Sequence, residues 1–450
     1  MRGSFRPDSE RLRNPLAMPT AIRPDLLLGW PLPARSGIGF TAGEKRAQVS
    51  DVPYSDASEA HCLVVAPTGA GKGVSAILPN LLHWRGAAVV LDFKGEAAMT
   101  TARYRKSLGQ RVHYLDPFRV LGSGPDCLNP LDWLRMAPEH LADNATTLSE
   151  LLTGQRISKN EPFWDDLANE LAAGLLARAA THDDPAMRSI GAVYDLLTAV
   201  DMPMQIAAAL DHEKGINRFA YRQLASFLTH ERDKVLPSVR STAQQHLRIF
   251  ANPLVQEAVS RTTMSLAAFQ RGEPVTLYLV LPATRLHSHA ALLRVWLAVL
   301  LGLVAERKSQ PEAPTLLVLD ELAQLGGMPL ILQALTLLRG YGLRVMAVLQ
   351  SLGQLKSLWP QDYQTVLDNC GTVLAFGQTR PTMARPMAEL FGDLSEQALL
   401  SMPQDQLAIG RAGQPTVIAR KLNYLKDPMF AGRFDANGLY RRGPQMAETR

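Results

Sequence analysis

The sequence is short of cysteine, of net charge and of long apolar runs, and each shortage excludes a class of protein. Its three cysteines, Cys62, Cys127 and Cys370, lie far apart among 450 residues and form no CxxC pair. They support neither a disulfide framework nor a zinc module, and they indicate a reducing cytoplasm. The most apolar stretch, Ala290–Ala305, is interrupted by Arg294. It falls short of the roughly 20 apolar residues that span a bilayer, so we expect a buried core helix and no membrane span.

The composition is that of an ordinary soluble globular protein. Hydrophobic residues make up 46% of the chain and charged residues 20%, and the mean hydropathy is −0.04. These values exclude a disordered, collagen-like or polytopic membrane protein, and the length leaves room for roughly two to four domains. The net charge of +5 permits contact with nucleic acid without arguing for it. The first residues carry positive charge but no apolar core, so they do not predict a secretory signal.

The pattern of apolar residues changes along the chain and predicts five segments. Residues 1–60 are rich in Pro, Gly and Arg, which predicts an irregular arm with a short hairpin. Residues 61–136 and 269–420 alternate strand-like and helix-like runs, so they predict the two parts of one α/β domain. Residues 137–268 have apolar residues at helical spacing, which predicts an inserted all-alpha domain. Residues 421–450 predict a loosely held basic tail.

Seven apolar runs predict the strands of the α/β domain. They are His61–Ala66, Ala87–Asp92, Arg111–Leu115, Val275–Leu281, Thr315–Asp320, Leu343–Leu349 and Thr372–Phe376. Strands that alternate with helices pair in parallel, so we expect a mainly parallel sheet.

A glycine-rich segment, Ala66–Gly73, follows the first of these strands and precedes a helix-like stretch. Phosphate binding needs inward-pointing backbone N–H groups, small residues, a lysine and a helix N-terminus, and this segment supplies all four. It departs from GxxxxGK[ST] at Ala66, which replaces the first glycine, and at Gly73, which replaces the hydroxyl residue that binds Mg²⁺. The alternative is a glycine-rich turn that merely joins a strand to a helix. The candidate phosphate contacts are Thr68, Gly69, Ala70, Gly71, Lys72, Gly73 and Val74, and Lys72 would bridge the β- and γ-phosphates.

Two carboxylates, Asp320 and Glu321, end the strand-like run that begins at Thr315. In P-loop enzymes such a strand lies beside the phosphate loop. Asp320 would then hold Mg²⁺, directly or through water, and Glu321 would orient or deprotonate the attacking water. Apolar runs that end in an acid are common, so a plain strand end or a helix cap is the alternative. We expect the two acids and the phosphate loop to meet across one nucleotide.

Two further residues are candidates near the next strand, Leu343–Leu349. Gln350 follows that strand and is placed to sense the γ-phosphate, unless it is only a polar strand end. Arg339 precedes the strand in a turn and would reach the nucleotide of a neighbouring subunit as an arginine finger. An exposed surface arginine is the alternative for Arg339.

The order of several motifs resembles that of TraG-type type IV secretion coupling proteins, the ATPases of conjugative DNA transfer. The motifs share the spacing of that family, and they are PTGAGKG (67–73), LDFKGE (91–96), LDPF (115–118), PFW (162–164), DELAQLG (320–326), RGYG (339–342) and LQS (349–351). The resemblance extends from about Cys62 to Gly392. Many members of the family carry GKG, so Gly73 departs from the generic motif and not from the family.

The resemblance implies a RecA-like P-loop NTPase domain that uses ATP and Mg²⁺, with an all-alpha domain inserted in it. It implies a hexamer around a DNA channel, and partners that include a relaxase, single- or double-stranded DNA or secreted effector proteins, and the secretion machinery. Such proteins typically carry N-terminal membrane helices, which this sequence does not show. We therefore expect the chain in the cytoplasm or peripheral at the cytoplasmic face of the inner membrane, attached through partners.

Three functions compete. A motor ATPase that couples hydrolysis to substrate transfer is the first, and a nucleotide-responsive recruitment adaptor with little motor activity is the second. A chromosome-segregation or DNA-processing translocase is the third, but LDFKGE and RGYG argue against it. Basic residues between positions 103 and 111 are candidates for DNA contact or for a solvated helix face: Arg103, Arg105, Lys106 and Arg111.

Overall fold

The computed structural model describes residues 25–33, 52–122, 124–153, 162–231 and 234–438. Within these ranges, eleven strands form one sheet. The strands are β1 (Leu26–Pro31), β2 (Tyr54–Asp56), β3 (Cys62–Val65), β4 (Ala88–Asp92), β5 (Arg111–Leu115), β6 (Val275–Val280), β7 (Thr315–Leu319), β8 (Leu343–Leu349), β9 (Thr372–Phe376), β10 (Gln406–Arg411) and β11 (Gln414–Arg420).

The strand order is β2-β1-β11-β10-β9-β3-β8-β7-β4-β6-β5. The seven strands from β9 to β5 pair in parallel. The other four extend this sheet by antiparallel pairing beyond β9. The carboxyl ends of β3, β8, β7 and β4 therefore lie side by side at one edge.

All seven predicted strands are confirmed, with ends that shift by one residue at most. Strands β3, β4 and β7 are buried along their whole length, which explains their continuous apolar runs, because parallel strands are covered on both faces. Within residues 1–60, β1 pairs antiparallel with β2. Most of the chain between these two strands lies outside the described residues, so the short hairpin expected there stays a prediction. Strands β10 and β11 were not predicted.

The described helices cover both faces of the sheet and form a separate block between β5 and β6. They are α1 (Leu78–His83), α2 (Glu96–Ser107), α3 (Pro130–Met136), α4 (Leu141–Thr153), α5 (Pro162–Thr181), α6 (Ile190–Thr198), α7 (Met202–His212), α8 (Arg218–Thr229), α9 (Val235–His246), α10 (Pro253–Ala258), α11 (Leu266–Gln270), α12 (Leu286–Ala305), α13 (Pro329–Leu337), α14 (Leu352–Leu358), α15 (Tyr363–Asn369), α16 (Pro381–Phe391) and α17 (Glu396–Leu400). A π-helical turn, Gly73–Ile77, leads into α1.

Between β5 and β6, the described residues form helices α3 to α11 and no strand, in keeping with an all-helical insertion. This block starts at Pro130, somewhat before the predicted boundary at residue 137. Its apolar side chains and those of the sheet form one continuous core through α12, with Leu171, Trp296 and Leu317 among the members. We propose that the block is a distinct domain seated on the sheet through α12.

The central helix α12 is the apolar segment that the sequence assigned to the core. Among the described residues, the segment Ala283–Ala305 is the one helix long and apolar enough to cross a membrane, and 72% of its most apolar window is buried in the protein. Arg294 is half-buried there and donates to the carbonyl of Leu151. These contacts are those of a core helix.

The end of the described chain differs from the loose tail expected for residues 421–450. Residues Leu422, Tyr424 and Phe430 are almost fully buried against the face of the sheet that carries α1 and α2. The amide of Asp435 donates to the carbonyl of Thr100 on α2. The frequent basic residues of this segment suggested a loose tail. Its apolar residues instead anchor it to the core on this face of the sheet. Residues 439–450 lie outside the described part.

A single glycine permits the close packing of α12 on α3. A Cβ at Gly302 would lie 2.3 Å from Cζ2 of the Trp133 ring. We expect Gly302→Ala to lower the melting temperature, because overpacking of this kind costs about 1–3 kcal/mol. The control is Gly353→Ala in α14, where the nearest atom to the new Cβ is Ser351 Oγ at 3.5 Å. Thermal unfolding should show no fall in the melting temperature of the control. An equal fall in melting temperature for both variants would contradict this account.

Candidate functional site

The phosphate loop begins where β3 ends and holds two glycines in the left-handed region. Gly69 has a φ of 79° and Gly71 a φ of 88°, values that residues with a Cβ rarely adopt. The amide of Ala70 donates to Pro67 O at 3.0 Å, and the amide of Ser75 donates to Gly71 O at 2.9 Å. The sequence therefore folds here into a compact loop that runs directly into the first helical turn, Gly73–Ile77.

The amide of Gly71 has no hydrogen-bond partner in the part of the chain that the structure describes. An unpaired N–H at a helix N-terminus is a donor available to an anion. A Cβ at Gly73 would meet nothing within 4 Å, so packing does not explain why the hydroxyl residue is missing there.

The lysine of the loop contacts both acids of β7. Lys72 Nζ lies 2.7 Å from Asp320 Oδ1 and 3.2 Å from Glu321 Oε1. Lys72 and Glu321 are 249 positions apart in the sequence. All three side chains are partly exposed, so each has access to solvent and to a ligand. The contact predicted between the loop and the two acids is confirmed, while the role of each residue stays a prediction.

Glu321 has a backbone conformation that is unusual for its residue type. Its φ is 57° and its ψ is 53°, in the left-handed region. Arg119 is the other non-glycine residue with a positive φ within the described ranges. Strain of this kind costs about 1–3 kcal/mol and often accompanies functional sites. Here it turns the chain sharply after β7 and accompanies the contact between Glu321 and Lys72.

Gln350 lies at the end of β8, beside the phosphate loop. Thr68 Oγ1 donates to Gln350 Oε1 at 3.2 Å, and the backbone N–H of Gln350 donates to Gln354 Oε1 at 2.8 Å. The structure therefore brings Gln350 to the same edge of the sheet as Lys72, as the sequence predicted.

Arg339 lies at the opposite edge of the sheet from the other candidates. It is exposed in the turn Leu338–Tyr341, before the amino end of β8, whereas the phosphate loop lies at the carboxyl ends. Arg307 holds this turn by donating from Nη1 to the carbonyls of Tyr341 and Gly342, both at 3.0 Å. Arg339 is therefore not part of the site in its own chain, and its role towards a second subunit stays a prediction.

Asp92, in the motif LDFKGE, was left without a role by the sequence. It is buried at the end of β4, and its Oδ2 accepts the amide of Ala98 at 2.9 Å, which fixes the first turn of α2. Burial, with smaller contributions from the charges of Asp320 and Glu96, raises the pKa of Asp92 to about 6. The signal that could have located Asp92 is its position at a strand end next to β7.

A cavity of about 280 Å³ joins these groups. The phosphate loop and the start of its helix form one wall, and the segment from Leu91 to Lys94 forms another. Asp320 and Glu321 also line the cavity. The lining therefore combines the phosphate loop and its lysine with carboxylates, which suits an anion that carries a divalent cation.

The four basic residues from 103 to 111 do not share one exposed face, because Arg103, Lys106 and Arg111 are exposed and Arg105 is not. Arg105 is fully buried and donates to the carbonyls of Leu81, Trp84 and Gly86. The other two arginines form ion pairs, Arg103 with Asp435 at 2.6 Å and Arg111 with Glu273 at 2.7 Å. Lys106 lies over the ring of Tyr114. The alternative of a solvated helix face is therefore wrong for Arg105, which holds α2 against the sheet.

Comparison with known proteins identifies the family. Residues 31–395 match the family model described as type IV secretory system conjugative DNA transfer, so the chain belongs to this family. The conjugal transfer protein TraG of Escherichia coli is 25% identical over 437 residues, which cover 83% of this chain and 68% of that protein. Protein VirD4 of Rhizobium rhizogenes is 29% identical over 420 residues, which cover 85% of this chain and 61% of that protein. The chain thus spans about two thirds of the length of these relatives.

Among solved structures, the plasmid coupling protein TrwB in complex with the ATP analogue ADPNP has a TM-score of 0.62 with this chain. The identity is 18%, and the match covers 80% of this chain and 84% of that one. At this identity the likeness concerns the fold, and it confirms the predicted RecA-like α/β architecture.

The strain at Glu321 can be separated from the loss of its carboxylate. Glu321→Gly and Glu321→Ala both remove the side-chain charge, but only glycine adopts a φ of 57° without cost. We expect the glycine variant to be more stable than the alanine variant by about 1 kcal/mol, measured by thermal unfolding. At the exposed neighbour Gln324, the alanine variant should be more stable than the glycine variant, because alanine has the higher helix propensity. An alanine variant at 321 that equals or exceeds the glycine variant would refute the strain.

Proposed function

We propose that this member of the conjugative DNA-transfer family is an ATP-hydrolysing coupling protein. The protein would recruit a relaxase–DNA or protein substrate and use ATP hydrolysis to drive its transfer. The observation that carries the proposal is the contact of Lys72 with Asp320 at 2.7 Å and with Glu321 at 3.2 Å, in the lining of one cavity. The TrwB complexes with ADPNP and with ADP and Mg²⁺ support the binding of a nucleotide and Mg²⁺.

The residues present fit Mg²⁺ in combination with a nucleotide. Asp320 Oδ1 is buried, and its sole partner among the described residues is the ammonium of Lys72. Carboxylate oxygen is a ligand that Mg²⁺ prefers, so Asp320 would hold the ion directly or through water. Within the described ranges no group of three or more acidic, histidine or cysteine side chains could hold a metal ion by itself. Phosphate oxygens and water would therefore complete the shell, where Mg²⁺ would neutralise charge on the phosphates.

The chain's own groups divide the remaining work. Donors of the phosphate loop from Thr68 to Val74 would hold the phosphates, and the ammonium of Lys72 would pass from the two acids to the β- and γ-phosphate oxygens. That transfer leaves Glu321 free to accept the proton of a water that attacks the γ-phosphorus. The bond to the β-phosphate breaks, and its electron pair leaves with the bridging oxygen of ADP. Gln350, next to Thr68, would sense whether the γ-phosphate is present.

Arg339 would act on the nucleotide of a neighbouring subunit. Its exposure, and its place at the edge of the sheet away from its own phosphate loop, support a role towards another chain. We further propose a hexamer, with partners that include single- or double-stranded DNA, a relaxase or secreted effector proteins, and other components of the type IV secretion machinery. The chain would then work in the cytoplasm or at the cytoplasmic face of the inner membrane, attached through these partners.

A recruitment adaptor with little motor activity is the second candidate. The observation that favours it is Gly73, because the loop lacks a hydroxyl ligand for Mg²⁺ although a Cβ there would meet nothing within 4 Å. Turnover measured with and without single-stranded DNA distinguishes the two functions. Strong stimulation by DNA supports the motor, and slow turnover that DNA does not change supports the adaptor.

Two substitutions separate nucleotide binding from hydrolysis. We expect Lys72→Ala to abolish nucleotide binding or turnover, because the positive charge on the phosphates is lost. We expect Glu321→Gln to retain ATP and to lower kcat by about 10²–10⁴-fold, the usual contribution of a general base. Fluorescent-nucleotide binding and phosphate release measure the two effects. Lys308→Ala and Glu389→Gln are surface controls that should behave as wild type, and a fully active Glu321→Gln protein would remove the catalytic assignment.

The role of Arg339 across a subunit interface is open to a mixing experiment. Arg339→Ala and Glu321→Gln proteins should each be inactive. In a mixed oligomer, some interfaces combine an intact Arg339 from one chain with an intact Glu321 from the other, so we expect partial recovery of phosphate release. The absence of recovery in samples shown by native mass spectrometry to contain mixed oligomers would count against the role.

A further inference from the structure

The segment that follows β11 runs along the phosphate loop. The amide of Lys421 donates to Asp405 O at 2.7 Å, and the amide of Tyr424 donates to Val74 O at 3.4 Å. Further along, Asn437 donates to Glu96 Oε1 at 2.6 Å on α2. Residues 421–437 lie beyond the region 31–395 that matches the family model. They therefore bring side chains to the site that neither the motifs nor the family match points to.

One of these side chains contacts the loop itself. Lys421 Nζ donates to the carbonyl oxygen of Ala70 at 2.9 Å. The side chain is almost fully buried, and its ammonium lies 4.2 Å from the centre of the Phe376 ring. The aromatic face and the buried stem leave the ammonium little freedom, so the donor is held in position before any ligand arrives.

The geometry of a peptide bond connects this contact to the phosphate site. In a trans peptide the carbonyl oxygen of one residue and the N–H of the next point in opposite directions. A donor that fixes Ala70 O therefore also fixes the direction of the Gly71 N–H. Gly71 would otherwise allow this peptide to rotate, because a residue without a Cβ tolerates a wide range of φ.

We propose that Lys421 is a positioning residue of the phosphate loop. Its ammonium holds the Ala70–Gly71 peptide so that the Gly71 N–H, which has no partner among the described residues, faces the nucleotide phosphates. The contact also polarises the peptide, which makes the N–H a better donor to an anion. The inference rests on the proposed function, because it assumes that the loop binds phosphates.

The charge of this lysine is sensitive to pH. Burial lowers the pKa of Lys421 to about 8, against a smaller opposing effect of Asp405. The other contacts of the ammonium, the Ala70 carbonyl and the Phe376 ring, carry no charge, and the adjacent Arg420 is paired with Asp427. The ammonium is therefore present below pH 8 and is lost as the pH rises through that value. Nucleotide affinity should fall in the same range.

The test compares the ADP affinities of Lys421→Met, Lys421→Arg and Lys426→Met with that of wild type. Isothermal titration calorimetry measures them between pH 7 and pH 9. ADP suits the purpose because the loop amides hold phosphates that ADP and ATP share. We expect Lys421→Met to weaken ADP binding by about tenfold at pH 7, the loss of a charged hydrogen bond. Lys426→Met, an exposed lysine of the same segment, is the matched control and should bind as wild type. We expect Lys421→Met to remove most of the difference in affinity between pH 7 and pH 9.

Lys421→Arg keeps the test decisive if the methionine variant does not fold. Arginine retains the donor and stays charged at pH 9, so its ADP affinity should fall less between pH 7 and pH 9 than that of wild type. A folded Lys421→Met protein that binds ADP as tightly as wild type overturns the inference. Equal pH profiles for wild type and Lys421→Arg overturn it as well. If wild type itself binds no ADP, the proposed function fails instead. Lys72→Ala identifies that case, because its ADP titration would then be the same as that of wild type.

Discussion

The arrangement of the candidate site depends on the parallel strand order β3-β8-β7. It places the loop after β3 and the acids after β7 at one edge of the sheet, on either side of Gln350. Adjacent carboxylates repel each other, and the ammonium of Lys72 offsets that repulsion at 2.7 Å from Asp320 and 3.2 Å from Glu321. A triphosphate would compete for the same ammonium. In the proposed function, binding of nucleotide and release of Glu321 would therefore be linked by one positive charge.

The loop and the strand end that meet there both have positive φ values. Glycine adopts them without strain at Gly69 and Gly71, whereas Glu321 is strained in the left-handed region. The loop is fixed from outside by Lys421 on the Ala70 carbonyl and by the contact between Thr68 and Gln350. Such preorganisation lets the donors face a phosphate without rearrangement, which is how an anion site gains affinity in water. In the proposed function, side chains that only contact the loop would therefore contribute to nucleotide binding.

The sequence predicted those features that local patterns determine. Buried parallel strands appear as continuous apolar runs, and the phosphate loop has a fixed spacing, so the seven central strands and the meeting of Lys72 with Asp320 were predictable. Strands β10 and β11 were missed, since an antiparallel extension with exposed positions lacks such runs. Arg105 and Lys421 resemble surface residues in sequence. Their burial depends on carbonyl groups distant in the chain, from Trp84 and Ala70 respectively, which no local pattern reveals.

The most direct test of the account is a structure of the protein with ADPNP and Mg²⁺. We predict that the β- and γ-phosphates occupy the cavity between the phosphate loop and the two acids. Lys72 Nζ should then contact phosphate oxygens, Asp320 should lie beside the metal, and Glu321 should no longer pair with Lys72. Phosphates bound at another place on the protein, with Lys72 still paired to Asp320 and Glu321, would contradict the claim that these residues serve one nucleotide.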